Sequence, residues 1–333
     1  MRAQIIGYRV ESAQFTMEMR TACLVYNPTA GRYPSGLLAE HAANLLREHG
    51  WKVSIKQSFS GPHITELANQ AASDNLDAFF IVGGDGSLNF AASGLVHTQT
   101  ALGVLPAGTT NVWAQELGLT SLGRSRRAGI EDSALKLVNA TVRSVDVGMC
   151  NDRVFLLWAG VGLDAFVVHR LEPRSRWEKY LAIPSYAMKA AWNATQWHGI
   201  NLNVEVDGTI LHGHYLLGVV SNVRRYAGGL TVLSPESHLD DGVLDLWLFK
   251  GDNMTDILQT AVDLLSGRHT RSGQVQHTRF HQLRLECGSQ MFIQVDGEPY
   301  SSDAGITISV LPKALRVLIP TRTPYPLFCQ EAA

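Results

Sequence analysis

Regular alternation between strand-like and helix-like segments is the feature that most constrains how this chain can fold. Between residues 21 and 146, short apolar runs such as residues 78–83 are separated by amphipathic stretches such as residues 35–50. Strands that alternate with helices of about ten to fifteen residues are typical of a parallel, doubly wound sheet with right-handed crossovers. The sequence therefore predicts an α/β domain over residues 1–146, with a strong signal from residue 21 onward.

Closely spaced strand signals replace this alternation after residue 146. The dipeptide Asp207-Gly208 lies between two apolar runs, a pattern typical of a two-residue hairpin. Further strand-like runs follow, interrupted by helical stretches at residues 176–197 and 253–267. These patterns predict an antiparallel, β-sandwich-like second domain over residues 147–325. They leave open whether its final segment packs back on the first domain, and whether the first twenty residues form an extra strand or a loose extension.

Composition excludes several classes of protein. The 333 residues have a net charge of −2 and only 17% charged side chains, so there is no basic surface of the kind that nucleic-acid binding requires. The four cysteines are far apart in sequence, which fits a reducing compartment. No run reaches the ~18 apolar residues of a membrane span. The sequence predicts a soluble, cytoplasmic protein, and leaves open a peripheral contact with the inner membrane face and a homodimer.

Three polar, glycine-containing loops follow strands of the first domain, at residues 27–31, 83–87 and 106–111. In parallel sheets, ligands bind at this carboxyl edge. The glycines of GGDGS let backbone N–H groups approach a ligand, and the helix that follows adds its positive dipole end, so the loop favours phosphate. Asp85 at its centre would repel a bare phosphate and must act through a metal ion, a substrate hydroxyl or a proton. The loop matches neither GxxxxGK[ST] nor GxGxxG.

The motifs and their order resemble the diacylglycerol kinase catalytic-domain family, which includes bacterial lipid kinases and sphingosine kinases. The resemblance covers about residues 21–320. It depends on YNPTAGR, GGDGSLN, GVLPAGTTNVWAQELGL, VDVG, GVGLDA, SNVRRYAGGLTVLSPESHLDDGVLDLWL and VDGEP, in this order. It implies phosphoryl transfer from ATP, with Mg²⁺, to the hydroxyl of a lipid acceptor. Diacylglycerol is the acceptor that the family suggests first, and a sphingoid base is the alternative.

The resemblance also implies roles for individual residues. Glu298 of VDGEP resembles the general base of the family, with Asp85 and Asp146 as further carboxylates in the same cleft. Val112 departs from the family, because many members have aspartate at this position. The residues implied to bind the nucleotide are Asn27, Gly31, Ser58, Gly83, Gly84, Asp85, Gly86, Ser87, Gly108, Thr109 and Asn111.

A metal site is implied in the segment HLDDGVL. Asp241, with the backbone carbonyls of His238 and Val243, resembles a structural magnesium site of bacterial members. Oxygen ligands suit a hard cation. An ordinary turn is an equally good interpretation of this segment.

Other interpretations compete with the lipid kinase. An NAD kinase shares a GGDG loop but needs an Asn-Glu pair shortly after it, and a non-catalytic nucleotide or lipid sensor could use the same fold. Asp164 of GVGLDA could contact the polar head of the acceptor or cap a helix. Trp177, Trp192 and Trp197, among basic residues, are typical of a helix at a membrane interface or of core packing. The Arg-rich residues 123–127 could contact anionic head groups.

Overall fold

The structure is a computed structural model. It describes residues 20–28, 35–119, 126–171, 197–288, 291–302 and 305–329. The predictions made for residues 1–19, 123–125, Gly31, Trp177 and Trp192 lie outside these ranges.

The described residues form seven α-helices and seventeen strands. The helices are α1 (Ser35–Glu48), α2 (Gly61–Ser73), α3 (Asp85–Leu95), α4 (Val112–Glu116), α5 (Arg126–Val138), α6 (Leu163–Leu171) and α7 (Met254–Ser266). The strands are β1 (Arg20–Tyr26), β2 (Trp51–Gln57), β3 (Ala78–Gly83), β4 (Ala101–Pro106), β5 (Thr141–Cys150), β6 (Arg153–Phe155), β7 (Trp158–Gly162), β8 (Ile200–Val206), β9 (Thr209–Ser221), β10 (Arg225–Tyr226), β11 (Thr231–Val232), β12 (Leu244–Lys250), β13 (Val275–Phe280), β14 (Gln282–Glu286), β15 (Ile293–Val295), β16 (Glu298–Tyr300) and β17 (Ile306–Ile319).

The N-terminal half is the predicted doubly wound sheet. Its strands lie in the order β2, β1, β3, β4, and all three pairings are parallel. Helices α2 and α3 pack against each other, and α1 packs against α5. Because helices cover both faces of such a sheet, β3 is apolar and buried along its whole length.

The C-terminal half is antiparallel and sandwich-like, as predicted. Strands β8 and β9 form the hairpin expected at Asp207-Gly208, where both turn residues have positive φ, 45° and 83°. Strand β9 then pairs with β7 and β12. Helix α7 forms over the predicted segment, capped by the side chain of Asn253 and ended by Gly267 with φ of 71°.

Strand β17 joins the two halves. It pairs antiparallel with β14 and β5, and it meets β4 in parallel at the pair Val317 and Leu102. Within the described ranges, the result is one continuous sheet of 15 strands. The predicted domain boundary at residue 146 falls inside β5, so the chain passes between the halves within a strand.

In the described part of the chain, no helix has both the length and the apolar character needed to cross a bilayer.

Candidate active site

The loops after β3 and β4 lie side by side at the carboxyl edge of the sheet. Gly83 pairs with Pro106, so the segments GGDGS and PAGTTN leave the sheet together. Their backbones touch, because a Cβ atom built on Gly108 would lie 2.6 Å from the Cα of Gly84. Only glycine allows this approach, which explains why both loops carry it at these positions.

Asn111 fixes the shape of the second loop. Its backbone is left-handed, with φ of 51°, a conformation that asparagine tolerates better than most residues. Its side-chain oxygen accepts from the N–H of Gly108 at 2.9 Å, and its amide donates to the carbonyl of the same residue at 3.1 Å. The loop is closed on itself, with Thr109 exposed at its tip.

Asp85 ties the two loops together. Its Oδ2 accepts from the N–H of Val112 at 2.9 Å and from the hydroxyl of Thr110 at 3.3 Å, and its Oδ1 accepts from the N–H of Trp113 at 3.2 Å. These bonds satisfy the free N–H groups at the start of α4. Burial raises the pKa of Asp85, and the hydrogen bonds oppose that rise. The carboxylate therefore has a structural role that the sequence did not indicate, and Val112 takes part through its backbone.

The loops after β1 and β2 are held by hydrogen bonds to backbone carbonyls. Ser58 is buried, and both its N–H and its hydroxyl donate to the carbonyl of Tyr26, at 2.9 and 3.2 Å. The carbonyl of Asn27 accepts from the Ser35 hydroxyl at 2.7 Å. The Ser58 hydroxyl thus binds the end of β1, and its predicted role in nucleotide binding stays a prediction.

Glu298 lies beside the GGDGS loop. It begins β16 after a tight turn at Asp296-Gly297, where both residues have positive φ. Its side chain is exposed, and its Oε1 lies 3.6 Å from the position that a Cβ atom on Gly86 would occupy. The fold therefore brings the carboxylate expected to act as general base next to the loop expected to bind phosphate.

Asp296 holds this hairpin in place, a role that sequence reasoning missed. It is buried, and its carboxylate accepts from the N–H groups of Leu156, Leu157 and Trp158 at 2.9, 2.9 and 3.1 Å. It also accepts from the Asn89 side chain at 2.6 Å, across 207 positions of sequence. Burial raises the pKa of Asp296 to about 6, against the effect of these bonds. Because Asn89 lies in α3, which begins in the GGDGS loop, the bond links that loop to the hairpin of Glu298.

Asp146 lies at the junction of the two halves. It is buried, and its two carboxylate oxygens accept from the N–H groups of Gly242 and Lys313, at 2.6 and 2.7 Å. These bonds attach β5 to β17 and to the loop that carries Asp241. The Asp146 carboxylate thus has a structural role at this junction, and its predicted place in one cleft with Glu298 stays a prediction.

The segment predicted to bind magnesium forms a half-buried turn. Asp241 accepts from the N–H of Val243 at 3.3 Å. Burial raises the pKa of Asp241, and the carboxylates of Asp146 and Asp245 add to the rise. Among the described residues, no group of three or more His, Cys, Asp or Glu side chains could hold a metal ion. The predicted set is of another kind, one carboxylate with the carbonyls of His238 and Val243, and it stays a prediction.

A further carboxylate lies close to the Glu298 hairpin. Asp164, in the first turn of α6, accepts from the Tyr226 hydroxyl at 2.9 Å and from the Gln294 amide at 3.1 Å. Gln294 in turn accepts from the N–H of Gly297 at 2.8 Å. The second oxygen of Asp164 is buried without a partner in the described part of the chain, and burial raises the pKa of Asp164 to about 6.

Family models match both halves of the chain. A model described as the diacylglycerol kinase catalytic domain matches residues 21–150. A model described as the YegS C-terminal NAD kinase beta sandwich-like domain matches residues 158–319. The two matches follow one another and leave only a short segment between them.

Similar proteins match nearly the whole chain. A diacylglycerol kinase of Bacillus subtilis is 28% identical over 285 residues, which are 84% of this chain and 90% of the relative. A diacylglycerol kinase of Mycobacterium tuberculosis is 28% identical over 300 residues, 88% of this chain and 93% of the relative. A crystal structure of a diacylglycerol kinase from Bacillus anthracis shares the fold, with a TM-score of 0.69, 19% identity and coverage of 91% and 98%. The chain therefore belongs to the diacylglycerol kinase catalytic-domain family, and its second half is the YegS-type C-terminal domain.

Proposed function

We propose that the protein is an ATP-dependent lipid kinase, which transfers the γ-phosphoryl group of ATP to the hydroxyl of a diacylglycerol-like acceptor. The observation that carries the proposal is the position of the Glu298 carboxylate beside Gly86, at the start of α3. The family and the names of the relatives agree with a phosphotransferase.

The phosphates of ATP would lie against the first turn of α3. The N–H groups of Gly86 and Ser87 are at the positive end of this helix, which favours phosphate oxygens. Because Gly84 and Gly108 keep the two loops in backbone contact, the hydroxyl of Thr109 lies on the same edge. Mg²⁺ bound with ATP would neutralise charge on the β- and γ-phosphates. Asn27 and Ser58 complete the proposed nucleotide set among the described residues, and the family resemblance adds Gly31.

Glu298 would accept the proton of the acceptor hydroxyl. The hydroxyl oxygen forms a bond to the γ-phosphorus, the bond from that phosphorus to the bridging oxygen breaks, and ADP leaves. General-base help of this kind is worth ~10²–10⁴-fold in rate. Asp85, whose carboxylate already holds the start of α4, would act by keeping the phosphate loops in register.

The acceptor head would lie near Asp164. Its second oxygen would accept a hydrogen bond from the ammonium group of a sphingoid base, a donor that diacylglycerol lacks. This carboxylate is the observation that keeps a sphingoid base as a second candidate. Asp241 with the carbonyls of His238 and Val243 would hold a structural Mg²⁺ away from the reacting atoms.

The test is transfer of radiolabelled phosphate from γ-labelled ATP to a panel containing diacylglycerol, sphingosine and NAD. We expect a labelled lipid with the wild type and a loss of ~10²–10⁴-fold in kcat for Glu298→Gln. Glu205→Gln, on an exposed position of β8, is the matched control and should keep full activity. Phosphorylation of NAD alone, or full activity of Glu298→Gln, would contradict the proposal.

A further inference from the structure

Helix α7 presents an apolar stripe to solvent. Met254, Leu258, Val262 and Leu265 are 36%, 61%, 49% and 70% exposed. Their spacing of four, four and three residues places them on one face of the helix. Ala261, on the same face, is also exposed. A surface helix of a globular protein normally directs its polar face outward, so this orientation indicates a surface that is covered in use.

The acidic side chains of α7 are engaged by the protein. Asp263 is buried, accepts from the Gln259 amide at 3.0 Å and lies 3.5 Å from the Nε of Arg268. Asp256 accepts from the N–H of Asp252 at 3.0 Å. The outward stripe therefore carries no charge of its own.

The stripe continues onto the β10–β11 hairpin. Leu230 and Val232 are 71% and 39% exposed, and the hydroxyl of Thr231 between them donates to the Leu264 carbonyl of α7 at 2.5 Å. The same hairpin reaches the candidate active site, because the Gln115 side chain donates both to Gly228 at 3.4 Å and to the Thr110 carbonyl.

Exposed basic side chains flank the stripe. Lys250 precedes α7, and Arg271 and Arg268, which is ion-paired with Asp263, follow it. Asp252, between Lys250 and α7, is the one exposed acidic residue in the described segment 250–271. Exposed apolar side chains bordered by basic ones fit the boundary between the acyl chains and the head groups of an anionic bilayer. A second copy of the chain would bring the same basic residues close to one another, so charge favours the bilayer.

We propose that the α7 surface, defined as Met254, Leu258, Val262 and Leu265 with Leu230 and Val232, docks on an anionic lipid bilayer. The choice of a bilayer over a protein partner rests on the proposed lipid-kinase function. Docking there would place the β10–β11 hairpin at the membrane. Because this hairpin lies beside the PAGTTN loop, the candidate active site would be close to the bilayer that supplies the lipid acceptor.

The test is flotation of the full chain with phosphatidylglycerol/phosphatidylcholine vesicles and with pure phosphatidylcholine vesicles. We expect the wild type to float with the anionic vesicles, and to float less as salt is raised. Leu258→Glu/Val262→Glu should bind about tenfold more weakly or not at all, because the two side chains no longer enter the bilayer. Leu37→Glu/Leu135→Glu has the same charge change on exposed positions of α1 and α5, and should bind like the wild type.

Size-exclusion chromatography with light scattering completes the test. The proposal predicts the same molecular mass in solution for the wild type and for Leu258→Glu/Val262→Glu, the α7 variant. No binding by the wild type, equal binding by the α7 and control variants, or a wild-type dimer that the α7 variant splits would overturn it. Vesicle binding that depends on α7, together with no phosphorylation of any lipid, would sustain the docking surface and reject the proposed function.

Discussion

Asn89 shows how one side chain can set the geometry of a site to which it does not contribute a reacting atom. Its amide donates to Asp296 at 2.6 Å and to the Val154 carbonyl at 2.8 Å, so α3 is attached directly to the C-terminal half. The position of Glu298, two residues beyond Asp296, depends on that attachment. A carboxylate that is misplaced by about 1 Å can cost ~10²-fold in rate.

We therefore predict that Asn89→Ala lowers kcat by ~10–100-fold and leaves the KM for ATP within about twofold. The substitution removes the amide that joins the two halves of the site, whereas the backbone of the GGDGS loop, proposed to bind the phosphates, is unchanged. The free energy of unfolding should fall by ~1–3 kcal/mol, because Asp296 loses one buried donor. Steady-state kinetics and urea denaturation measure both effects. Asn44→Ala, on an exposed position of α1, is the control, and an unchanged kcat in folded Asn89→Ala would refute the link.

Glu116 makes the stability of the protein depend on pH. It is buried, its Oε1 accepts from the N–H of Arg225 at 2.6 Å, and its Oε2 has no partner in the described part of the chain. Burial raises the pKa of Glu116 from 4.5 to about 7. Between these two values the folded state holds a proton that the unfolded chain has released. The contribution of Glu116 to stability is therefore complete below pH 4.5, declines as pH rises to about 7, and is constant above.

We predict that Glu116→Gln removes this decline. The free energy of unfolding of the wild type, relative to the variant, should fall by about 3 kcal/mol between pH 4.5 and pH 7.5. Urea denaturation of both proteins at several pH values measures the difference, in which the other titrating groups cancel. If the free energies of unfolding of the two proteins changed in parallel with pH across this range, Glu116 would have an ordinary pKa.

The position of α3, and with it the GGDGS loop, depends on close packing against α2. A Cβ atom on Gly94 would lie 2.6 Å from the Thr65 carbonyl oxygen and 2.8 Å from the Cβ of Ala68. We predict that Gly94→Ala forces the two helices apart and lowers the free energy of unfolding by ~1–3 kcal/mol. Gly129 in α5 has no atom within 4 Å of such a Cβ, so Gly129→Ala should stabilise by ~0.4–1 kcal/mol. Chemical denaturation of both variants measures the two changes in the free energy of unfolding, which should have opposite signs. Destabilisation of both variants by equal amounts would contradict the close contact proposed at Gly94.

Local patterns explain which elements could be predicted from the sequence. The hairpin at Asp207-Gly208 and the helix between Asn253 and Gly267 form where they were expected, since turn and cap residues act on their immediate neighbours. The direction of α7 could not be predicted, because an apolar stripe has the same spacing whether it faces the core or the solvent.

The candidate active site shows the same difference between local patterns, which could be predicted, and long-range contacts, which could not. The glycines of GGDGS and PAGTTN were identified because each motif is contiguous. The bonds from Asp85 to Val112 and from Asn89 to Asp296 join residues that are 27 and 207 positions apart, and only the tertiary fold brings them together. The partners of Asp146 could not be predicted for the same reason, because its position within VDVG does not reveal Gly242 and Lys313.

At the scale of the whole molecule, the site depends on the alignment of two halves that share one sheet. Strand β17 lies between β14 and β4 in that sheet and also pairs with β5. At the same junction, the Asp146 carboxylate of β5 accepts from the N–H of Lys313 in β17 and from the N–H of Gly242. The GGDGS and PAGTTN loops belong to one half and Glu298 to the other, so their relative position depends on this junction.

A substitution in β17 should therefore destabilise both halves together. Leu315 is fully buried and pairs with Val145 of β5, and we predict that Leu315→Ala lowers the free energy of unfolding by ~2–5 kcal/mol in a single transition. Hydrogen exchange followed by mass spectrometry should then accelerate by a similar factor in peptides from β1–β4 and from β7–β9, since protected amides of a cooperative unit exchange through the same global opening. Leu37→Ala, on an exposed position of α1, should leave both sets of peptides unchanged. Faster exchange confined to β7–β9 would mean that the halves unfold independently and that the shared sheet does not couple them.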